Sequence, residues 1–250
     1  MQRFENKVAF VTGAAAGMGR ATSLRLASEG AQVYGIDVDP SGLEETARKI
    51  RDSGGTIETA LCDVTDRRRC FDAVAACVAA FDRLDVLANI AGIVRFAHAT
   101  EMAERDWNLV LAVNLSGPFF LCQAAIPHLL ETGGNIVNIA SNAGLMGQAY
   151  TVAYCASKAG LINMSRALAM EFVKKNIRIN CVAPAGTATN LVANVEFPDG
   201  IDGALLDRYR GFRGMSQAED IANVVAFLAS DEAKAVHGAV WEADQAVSAG

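Results

Sequence analysis

The stretch that decides the fold lies near the start of the chain, where residues 8–19 read VAFVTGAAAGMG. An apolar, β-branched run leads directly into a turn that contains three glycines. This pattern predicts a buried strand that ends in a glycine turn and opens a helix. Backbone N–H groups in such a turn can approach a pyrophosphate, and the positive end of the helix dipole favours the same anion. A tight turn or a helix cap would give a similar sequence, so the glycines alone do not decide the function.

Strand-like and helix-like patterns alternate along the rest of the chain. Most strand-like runs are apolar throughout, as expected for parallel strands that are covered on both faces. The alternation predicts a single-domain α/β fold over residues 1–250, with a Rossmann-type doubly wound parallel sheet of about seven strands and helices on both faces. The predicted strands are Val8–Thr12, Gln32–Ile36, Ile57–Cys62, Val86–Asn89, Ile136–Ala140, Ile177–Val182 and Ala239–Trp241.

Two segments carry apolar residues at the i, i+3, i+4, i+7 spacing of a half-buried helix. The first stripe consists of Phe71, Val74, Ala75 and Val78, and the second of Ile221, Val224, Val225 and Leu228. The second helix is preceded by Ser216 and Glu219 at the spacing of a capping box.

The overall charge excludes one class of partner. The chain has 250 residues with 22 basic and 28 acidic side chains, a formal net charge of -6. We expect no nucleic-acid partner, because no excess of lysine and arginine is present to neutralise phosphates. The chain starts MQRFENK, without the apolar core of a signal peptide, so we expect a cytoplasmic protein.

The segment Trp107–Leu130 contains no charged side chain and could be mistaken for a membrane span. It includes Asn114 and two prolines, however, and is too polar and too broken for about 20 consecutive apolar residues. We therefore expect a helix that is buried on most of its surface, and no membrane partner.

Six cysteines and three histidines are scattered through the sequence, and no C-x-x-C pair occurs. This spacing does not support a metal site. Without a secretory signal, the cysteines are expected to be reduced, buried thiols.

An acidic residue, Asp37, stands at the end of the second predicted strand. At this place a carboxylate can bind both ribose hydroxyls of an adenosine and repel a 2′-phosphate. Neither Ala16 nor Val38 is basic, so no partner for a 2′-phosphate lies nearby in the sequence. These residues favour NAD over NADP. Asp37 could also be a simple turn residue, because a proline follows at position 40.

Tyr154 and Lys158 are separated by four positions, which places them one above the other on a helix face. A free phenol has a pKa near 10, and an ammonium group within ~4–6 Å favours the phenolate. This pair could therefore pass a proton between an alcohol and water. The same spacing also occurs by chance in surface pairs.

The order and spacing of several motifs together resemble the classical short-chain dehydrogenase/reductase family over essentially the whole chain. They are the glycine turn, Asp37, Asn89-Ile90-Ala91-Gly92, Asn114, Ser141 and Tyr154-x-x-x-Lys158. The resemblance implies hydride transfer between NAD(H) and a secondary alcohol or ketone. It also implies a homotetramer or homodimer, formed through the helices near Trp107–Leu130 and Tyr150–Lys174.

The resemblance assigns a role to each matching residue. Tyr154 would be the catalytic acid/base, Lys158 would lower its pKa and bind the nicotinamide ribose, and Ser141 would bind the substrate oxygen. Asn114 would hold a water that connects Lys158 to solvent. The substrate contacts would be Ser141, Gln148 and Tyr154. The expected cofactor contacts are Gly13, Ala16, Gly17, Met18, Gly19, Asp37, Asp63, Val64, Asn89, Ala91, Gly92, Tyr154, Lys158, Pro184, Gly186, Thr187 and Thr189.

Some of these assignments have alternatives. Ser141 could be an end-of-strand hydroxyl that bonds only to backbone, and Asn114 could merely cap or kink a buried helix. Tyr150 lies one turn before Tyr154 but has no lysine four residues later. Cys155 should pack in the core, because neighbouring helix residues point about 100° apart.

The sequence departs from the family pattern at three places. The usual Asn-Asn-Ala-Gly reads Asn89-Ile90-Ala91-Gly92, which loses one amide side chain. The usual Pro-Gly reads Pro184-Ala185, and Ala185 would be strained if that position needs a positive φ. The common Asp-Gly-Gly near the C-terminus reads Asp244-Gln245-Ala246, which could change subunit packing.

The substrate pocket is expected between three segments, including a lid at about residues 190–214. This segment is a flexible amphipathic lid or, alternatively, an ordinary helix pair with exposed arginines. The residues expected to wall the pocket are Arg95, Phe96, Asn142, Ala143, Gln148 and Ala149, together with the lid segment. The sequence does not decide whether Arg208, Arg210 and Arg213 of the lid face the pocket. Two other functions remain open: a 3-oxoacyl-thioester reductase that uses NADPH, and a non-catalytic nicotinamide-binding sensor or assembly subunit.

Overall fold

The sheet is parallel throughout and contains seven strands in the order β3-β2-β1-β4-β5-β6-β7. A computed structural model describes residues 2–189, 195–207 and 213–249. All seven predicted strands are present, with bounds that differ by at most a few residues, and the doubly wound α/β fold is confirmed. The strands are β1 Val8–Thr12, β2 Gln32–Asp37, β3 Thr56–Leu61, β4 Val86–Asn89, β5 Asn135–Ile139, β6 Arg178–Pro184 and β7 Val240–Ala243.

Helices connect the strands on both faces of the sheet. Within the described ranges, the α-helices are α1 Gly17–Ser28, α2 Pro40–Asp52, α3 Arg67–Phe81, α4 Glu104–Leu111, α5 Gly117–Thr132, α6 Val152–Glu171, α7 Gly203–Asp207 and α8 Ala218–Ala229. A short π-helical turn, Ala112–Ser116, joins α4 to α5.

A hydrophobic core lies on each face of the sheet, and the apolar residues of β1 contribute to both. Successive strand residues point to opposite faces. Ala9 and Val11 pack with residues of α1, α2 and α8 on one face. Val8 and Phe10 pack with residues of α3, α5 and α6 on the other. Both sets are buried, which is why β1 reads as an uninterrupted apolar run.

The buried stripe of α3 differs from the predicted one. The buried residues are Cys70, Ala73, Val74 and Cys77. Phe71 and Val78 are partly buried and pack against the same core, as predicted, whereas Ala75 is exposed. The guanidinium of Arg67 lies over the Phe71 ring, 4.3 Å from the ring centre. The stripe of α8 is confirmed, with Val224 partly buried.

The cap of α8 is also shifted by one residue from the prediction. The capping box is formed by Gln217 and Asp220, and the Gln217 backbone N–H donates to Asp220 Oδ2 at 2.8 Å. Ser216 is not available for this role, because it forms a bridge to Thr187.

The charge-poor segment forms the end of α4, the π-helical turn and α5. Among the described residues, Glu104–Thr132 is the one helical stretch long and apolar enough for a membrane span, and 50% of its most apolar window is buried in this fold. The prediction of a helix buried on most of its surface is therefore only half met.

Candidate active site

Two adjoining cavities open at the carboxyl ends of the strands, where parallel sheets of this kind bind ligands. The first, which we call the nucleotide cleft, has a volume of about 400 Å³. It lies where the strand order reverses, between β1 and β4. Its lining residues are Gly13, Ala16, Gly17, Met18, Gly19, Ile36, Asp37, Val38, Cys62, Asp63, Val64, Ile90, Ala91, Gly92, Ile93, Val113 and Thr189.

The three glycine positions of the turn leave no room for a side chain or favour glycine by their backbone angles. Gly13 and Gly17 have φ values of 68° and 50°, which favour glycine. A Cβ atom on Gly19 would lie 2.0 Å from the carbonyl oxygen of Gly13. Helix α1 starts at Gly17 without a side-chain cap. These features bring backbone N–H groups and the positive end of a helix dipole to the floor of the cleft.

The carboxylate of Asp37 is held in a fixed position at the edge of the nucleotide cleft. Its Oδ2 accepts a hydrogen bond from the Ala15 backbone N–H at 3.1 Å. Its Oδ1 accepts from the N–H groups of Val38 and Asp39, at 2.7 Å and 3.1 Å. Asp37 is thus a turn residue and also lines the cleft.

The structure corrects the expectation for Asn89. Its side chain is buried within the sheet, where Nδ2 donates to Asn138 Oδ1 at 2.8 Å, and it does not line the nucleotide cleft. Ile90, Ala91 and Gly92 do line it. Thr12 Oγ1 holds this segment by accepting from the Ile90 and Ala91 N–H groups at 2.8 Å and 2.9 Å.

The second cavity, which we call the substrate cavity, has a volume of about 490 Å³ and contains Tyr154. Its polar lining residues are Ser141, Asn142, Gln148, Tyr154, Thr187 and Thr189. The other lining residues are Met18, Val94, Phe96, Ala140, Pro184, Ala185, Gly186, Val195, Phe197, Leu206 and Met215. Met18 and Thr189 line both cavities, which therefore share a wall.

Ser141 follows β5 and begins a short 3-10 turn. Its Oγ accepts from the Ala143 N–H at 3.1 Å and donates to Asn142 Oδ1 at 3.3 Å. The hydroxyl therefore caps the local backbone, as in the alternative interpretation, while it also lines the substrate cavity.

Lys158 is buried beneath the cavity and donates a hydrogen bond from Nζ to the carbonyl oxygen of Ile139 at 2.7 Å. Its Nζ lies 5.7 Å from the centre of the Tyr154 ring. Burial lowers the pKa of Lys158 to about 8.

The expected lowering of the Tyr154 pKa is not found in this structure. Burial raises the pKa of Tyr154 above its ordinary value of 10, and the hydrogen bond with Ser141 offsets only part of that effect. Desolvation of the phenolate therefore outweighs the hydrogen bond with Ser141.

Asn114 lies in the π-helical turn and is fully buried. Its Oδ1 accepts from the Ile93 N–H at 2.9 Å, and its Nδ2 donates to the Ile93 carbonyl at 2.8 Å and to Ser157 Oγ at 3.1 Å. A Cβ atom on Gly92 would lie 3.3 Å from Asn114 Oδ1 and 3.4 Å from Lys158 Nζ. Asn114 thus fixes the segment after β4 against α6, rather than acting as a helix cap.

Tyr150 does not line the substrate cavity and makes its contacts elsewhere. Its hydroxyl accepts a hydrogen bond from the Asp202 N–H at 2.9 Å, and its ring meets that of His98 edge-on. Cys155 is half-buried rather than packed in the core, and its Sγ accepts from the Gln148 N–H at 3.3 Å.

Two places where the sequence departs from the family pattern differ in backbone strain, namely Ala185 after β6 and the C-terminal turn at Gln245 and Ala246. Neither Ala185 nor Gly186 has a positive φ, whereas Gln245 and Ala246 have φ values of 55° and 69°. The left-handed backbone thus falls where the family pattern has two glycines. Gln245 Nε2 also donates to Ser216 Oγ at 2.9 Å.

Only some of the residues expected to wall the substrate cavity line it in the structure. Phe96, Asn142 and Gln148 line it, whereas Arg95, Ala143 and Ala149 do not. Arg213 is exposed. Arg208 and Arg210 lie outside the described residues. No charged side chain occurs among the described residues that line this cavity.

Sequence reasoning missed several lining residues. Cys62 directly follows a strand, so its place at the carboxyl edge of the sheet could have revealed it. Val113 lies in the π-helical turn and carries no comparable signal. Within residues 2–189, 195–207 and 213–249, no group of three metal-binding side chains comes together.

The comparisons with known proteins agree with this geometry. The family model described as short chain dehydrogenase matches residues 7–198. A D-threitol dehydrogenase from Mycolicibacterium smegmatis is 38% identical over 95% of this chain and 91% of its own length. A 3-oxoacyl-(acyl-carrier-protein) reductase from Thermotoga maritima is 38% identical over 95% of this chain and 96% of its own length.

A solved structure of a short chain dehydrogenase is also similar to this chain. A short chain dehydrogenase from Mycobacterium paratuberculosis, solved bound to NAD, has a TM-score of 0.92 and 31% identity, and the match covers 99% of this chain and 100% of that one. The match extends over the sheet, the glycine turn and the helix that carries Tyr154 and Lys158. The chain therefore belongs to the short-chain dehydrogenase/reductase family of oxidoreductases.

Proposed function

We propose that this protein transfers a hydride between NAD(H) and a secondary alcohol or ketone, with Tyr154 as the acid/base. One observation carries the proposal: Tyr154 and Ser141 line an apolar cavity that shares a wall with the cleft containing the glycine turn and Asp37. A nucleotide in the cleft and a substrate in the cavity would therefore meet beside Tyr154.

The residues of the nucleotide cleft fit a dinucleotide. The backbone N–H groups at the start of α1 suit a pyrophosphate, and Asp37 suits an unphosphorylated adenosine ribose. Asp63 and Val64 would contact the adenine, and residues 184–189 would cover the nicotinamide carboxamide. The nicotinamide supplies hydride chemistry at its C4 atom, while the protein supplies orientation and a proton path.

The reaction requires a proton at the substrate oxygen. In the reducing direction, Tyr154 donates its hydroxyl proton to that oxygen while the Ser141 hydroxyl holds it by a hydrogen bond. The raised pKa of Tyr154 keeps this proton in place at neutral pH. Lys158, with its pKa lowered to about 8 by burial and its Nζ 5.7 Å from the centre of the Tyr154 ring, would return a proton to Tyr154 through an intervening water. In the oxidising direction Tyr154 must first lose its proton, so we expect the rate to rise with pH.

The second candidate is a 3-oxoacyl-thioester reductase that uses NADPH. It is supported by the similarity to the reductase from Thermotoga maritima. Asp37 and the uncharged lining of the described part of the substrate cavity argue against it, because an acyl carrier's phosphate would find no cation there.

The lid and the assembly are further parts of the proposal. We propose that the described part of the predicted lid, residues 195–207, covers the substrate cavity within one domain. The ring of Phe197 packs edge-on against that of Phe96, with 4.9 Å between the ring centres, and the Tyr150 hydroxyl accepts from the Asp202 N–H. Residues 190–194 and 208–212 of the predicted lid lie outside the described residues. We also propose a cytoplasmic homotetramer or homodimer. Exposed apolar residues on α5 and α6 support such an interface, namely Phe119, Val152 and Met170. Sedimentation as a monomer at micromolar concentration would contradict the assembly.

The activity can be tested with purified protein, NAD or NADP, secondary alcohols, ketones and a 3-oxoacyl thioester, by following the absorbance of the reduced nicotinamide. We expect turnover of alcohols with NAD. Tyr154→Phe should abolish it, because the phenol that moves the proton is gone. The matched variant Tyr150→Phe should retain it, because that hydroxyl lies outside the substrate cavity. Turnover with NADPH and the thioester alone would favour the second candidate, and binding without turnover would favour a non-catalytic sensor or assembly subunit.

A further inference from the structure

Asn142 occupies an unusual position in the substrate cavity. It directly follows Ser141, opens the 3-10 turn Asn142–Gly144 after β5, and lines the cavity. Only 6% of its surface is exposed. Its side chain is therefore held between the sheet and the space in which the substrate would react.

The carboxamide of Asn142 is only half satisfied. Its Oδ1 accepts from Ser141 Oγ at 3.3 Å, whereas its Nδ2 is buried and has no hydrogen-bond partner. A buried donor without a partner costs about 1–3 kcal/mol. The described residues contain five buried polar side-chain atoms, donors or acceptors, that have no hydrogen-bond partner. Asn142 Nδ2 is the only one of the five that belongs to a residue lining either cavity. Because Asn142 lines the substrate cavity, a rotation of its carboxamide toward a bound ligand would let that ligand supply the missing acceptor.

The rest of the cavity indicates what kind of acceptor this is. No lysine, arginine or histidine is present among the described lining residues, so a carboxylate or phosphate would be buried without a counter-ion. A hydroxyl or carbonyl oxygen carries no such penalty once it is hydrogen-bonded. The acceptor should therefore be an uncharged oxygen.

We propose that Asn142 binds a second, uncharged oxygen of the substrate, which makes the substrate a diol, hydroxyketone or diketone rather than a simple alcohol. This inference rests on the hydride-transfer function proposed above. Ser141 and Asn142 are adjacent, about 3.8 Å apart at their Cα atoms. The side-chain atoms Ser141 Oγ and Asn142 Oδ1 lie 3.3 Å apart, so with Ser141 on the reacting oxygen we expect the second oxygen one or two carbon atoms away from the reacting carbon.

The test compares cyclohexanol with cyclohexane-1,2-diol and cyclohexane-1,3-diol in the wild-type protein with NAD. We expect kcat/KM to be about tenfold higher for one of the diols. Asn142→Leu, which keeps the shape and removes the donor, should bring the ratio of diol to mono-alcohol close to one. The matched control is Thr22→Val, which removes another buried, unpaired polar atom from a residue that lines neither cavity. It should leave the ratio unchanged.

A second measurement separates this inference from the proposed reaction. Calorimetric binding of the same compounds to Tyr154→Phe with NAD does not require turnover. Tighter binding of a diol that is lost when Asn142→Leu is added supports the inference, even where the wild-type protein turns nothing over and the hydride-transfer proposal fails. Equal binding and equal turnover of diol and mono-alcohol overturn it. So does an Asn142→Leu variant that slows all substrates equally, because Asn142 would then only position Ser141.

Discussion

Replacement of Lys158 by methionine should stabilise the protein while it destroys activity. Lys158 is 3% exposed, and burial lowers its pKa from 10.5 to about 8. The unfolded chain therefore binds a proton at this site more tightly than the folded protein does. Below pH 8 this difference opposes folding by about 3 kcal/mol, and the penalty disappears as the pH rises from 8 through 10.5.

The methionine side chain has a similar length and carries no charge to desolvate. Its main loss is the hydrogen bond from Lys158 Nζ to the Ile139 carbonyl, which contributes about 1 kcal/mol, while the contact of Nζ with the Tyr154 ring is long, at 5.7 Å from the ring centre. Lys158→Met should therefore be more stable than the wild type by about 2 kcal/mol at pH 7. For a chain of this length, that corresponds to a rise in Tm of about 4–8 °C. At pH 10 the remaining penalty is about 1 kcal/mol, so the gain should be close to zero.

The assay is urea or thermal unfolding of both proteins without nucleotide, followed by circular dichroism at pH 7 and pH 10. The difference between variant and wild type cancels the titration of all other groups. Lys175→Met is the matched control, because Lys175 is exposed and its replacement should change stability by less than about 0.5 kcal/mol. A variant less stable than the wild type at pH 7, or a gain of equal size at pH 10, would refute the reasoning.

Three further substitutions test the nucleotide cleft and the C-terminal turn. Asp37→Asn should raise kcat/KM for NADP at least about fivefold relative to NAD, because a carboxylate and a 2′-phosphate repel by about 1–4 kcal/mol at short range. An unchanged ratio contradicts the role of Asp37. Gly19→Ala should abolish nucleotide binding in calorimetry, because its Cβ would lie 2.0 Å from the Gly13 carbonyl oxygen. The control Gly203→Ala should bind the nucleotide as the wild type does, because the space around Gly203 is open. Ala246→Gly should raise Tm by about 2–4 °C, because relief of the left-handed alanine is worth about 1 kcal/mol net; a lower Tm would show that the turn is not strained.

The sequence was sufficient for the sheet and for most of the site because both depend on local signals. Apolar runs between turn residues locate strands, and site residues such as Asp37 and Ser141 stand where those strands end. The parallel arrangement then places these residues at the same edge of the sheet, since all strands end there.

The errors concern features that depend on distant packing. In α3 the sequence pattern included Ala75, which is exposed, and missed Cys70 and Cys77, which are the residues buried most deeply on this helix. Asn89 was expected along the cofactor, but its side chain donates within the sheet to Asn138 and the residue does not line the nucleotide cleft. The raised pKa of Tyr154 likewise depends on burial, which motif spacing does not reveal.

The strand order has a consequence for how the chain is assembled. β2 and β3 add successively to one side of β1, and β4 to β7 add successively to the other. No strand is inserted between two that are already paired, so the sheet can grow outward in the order in which a ribosome delivers it. Each new strand covers the open edge left by an earlier one, until the growing side ends in β7, a short final strand whose Trp241 is exposed.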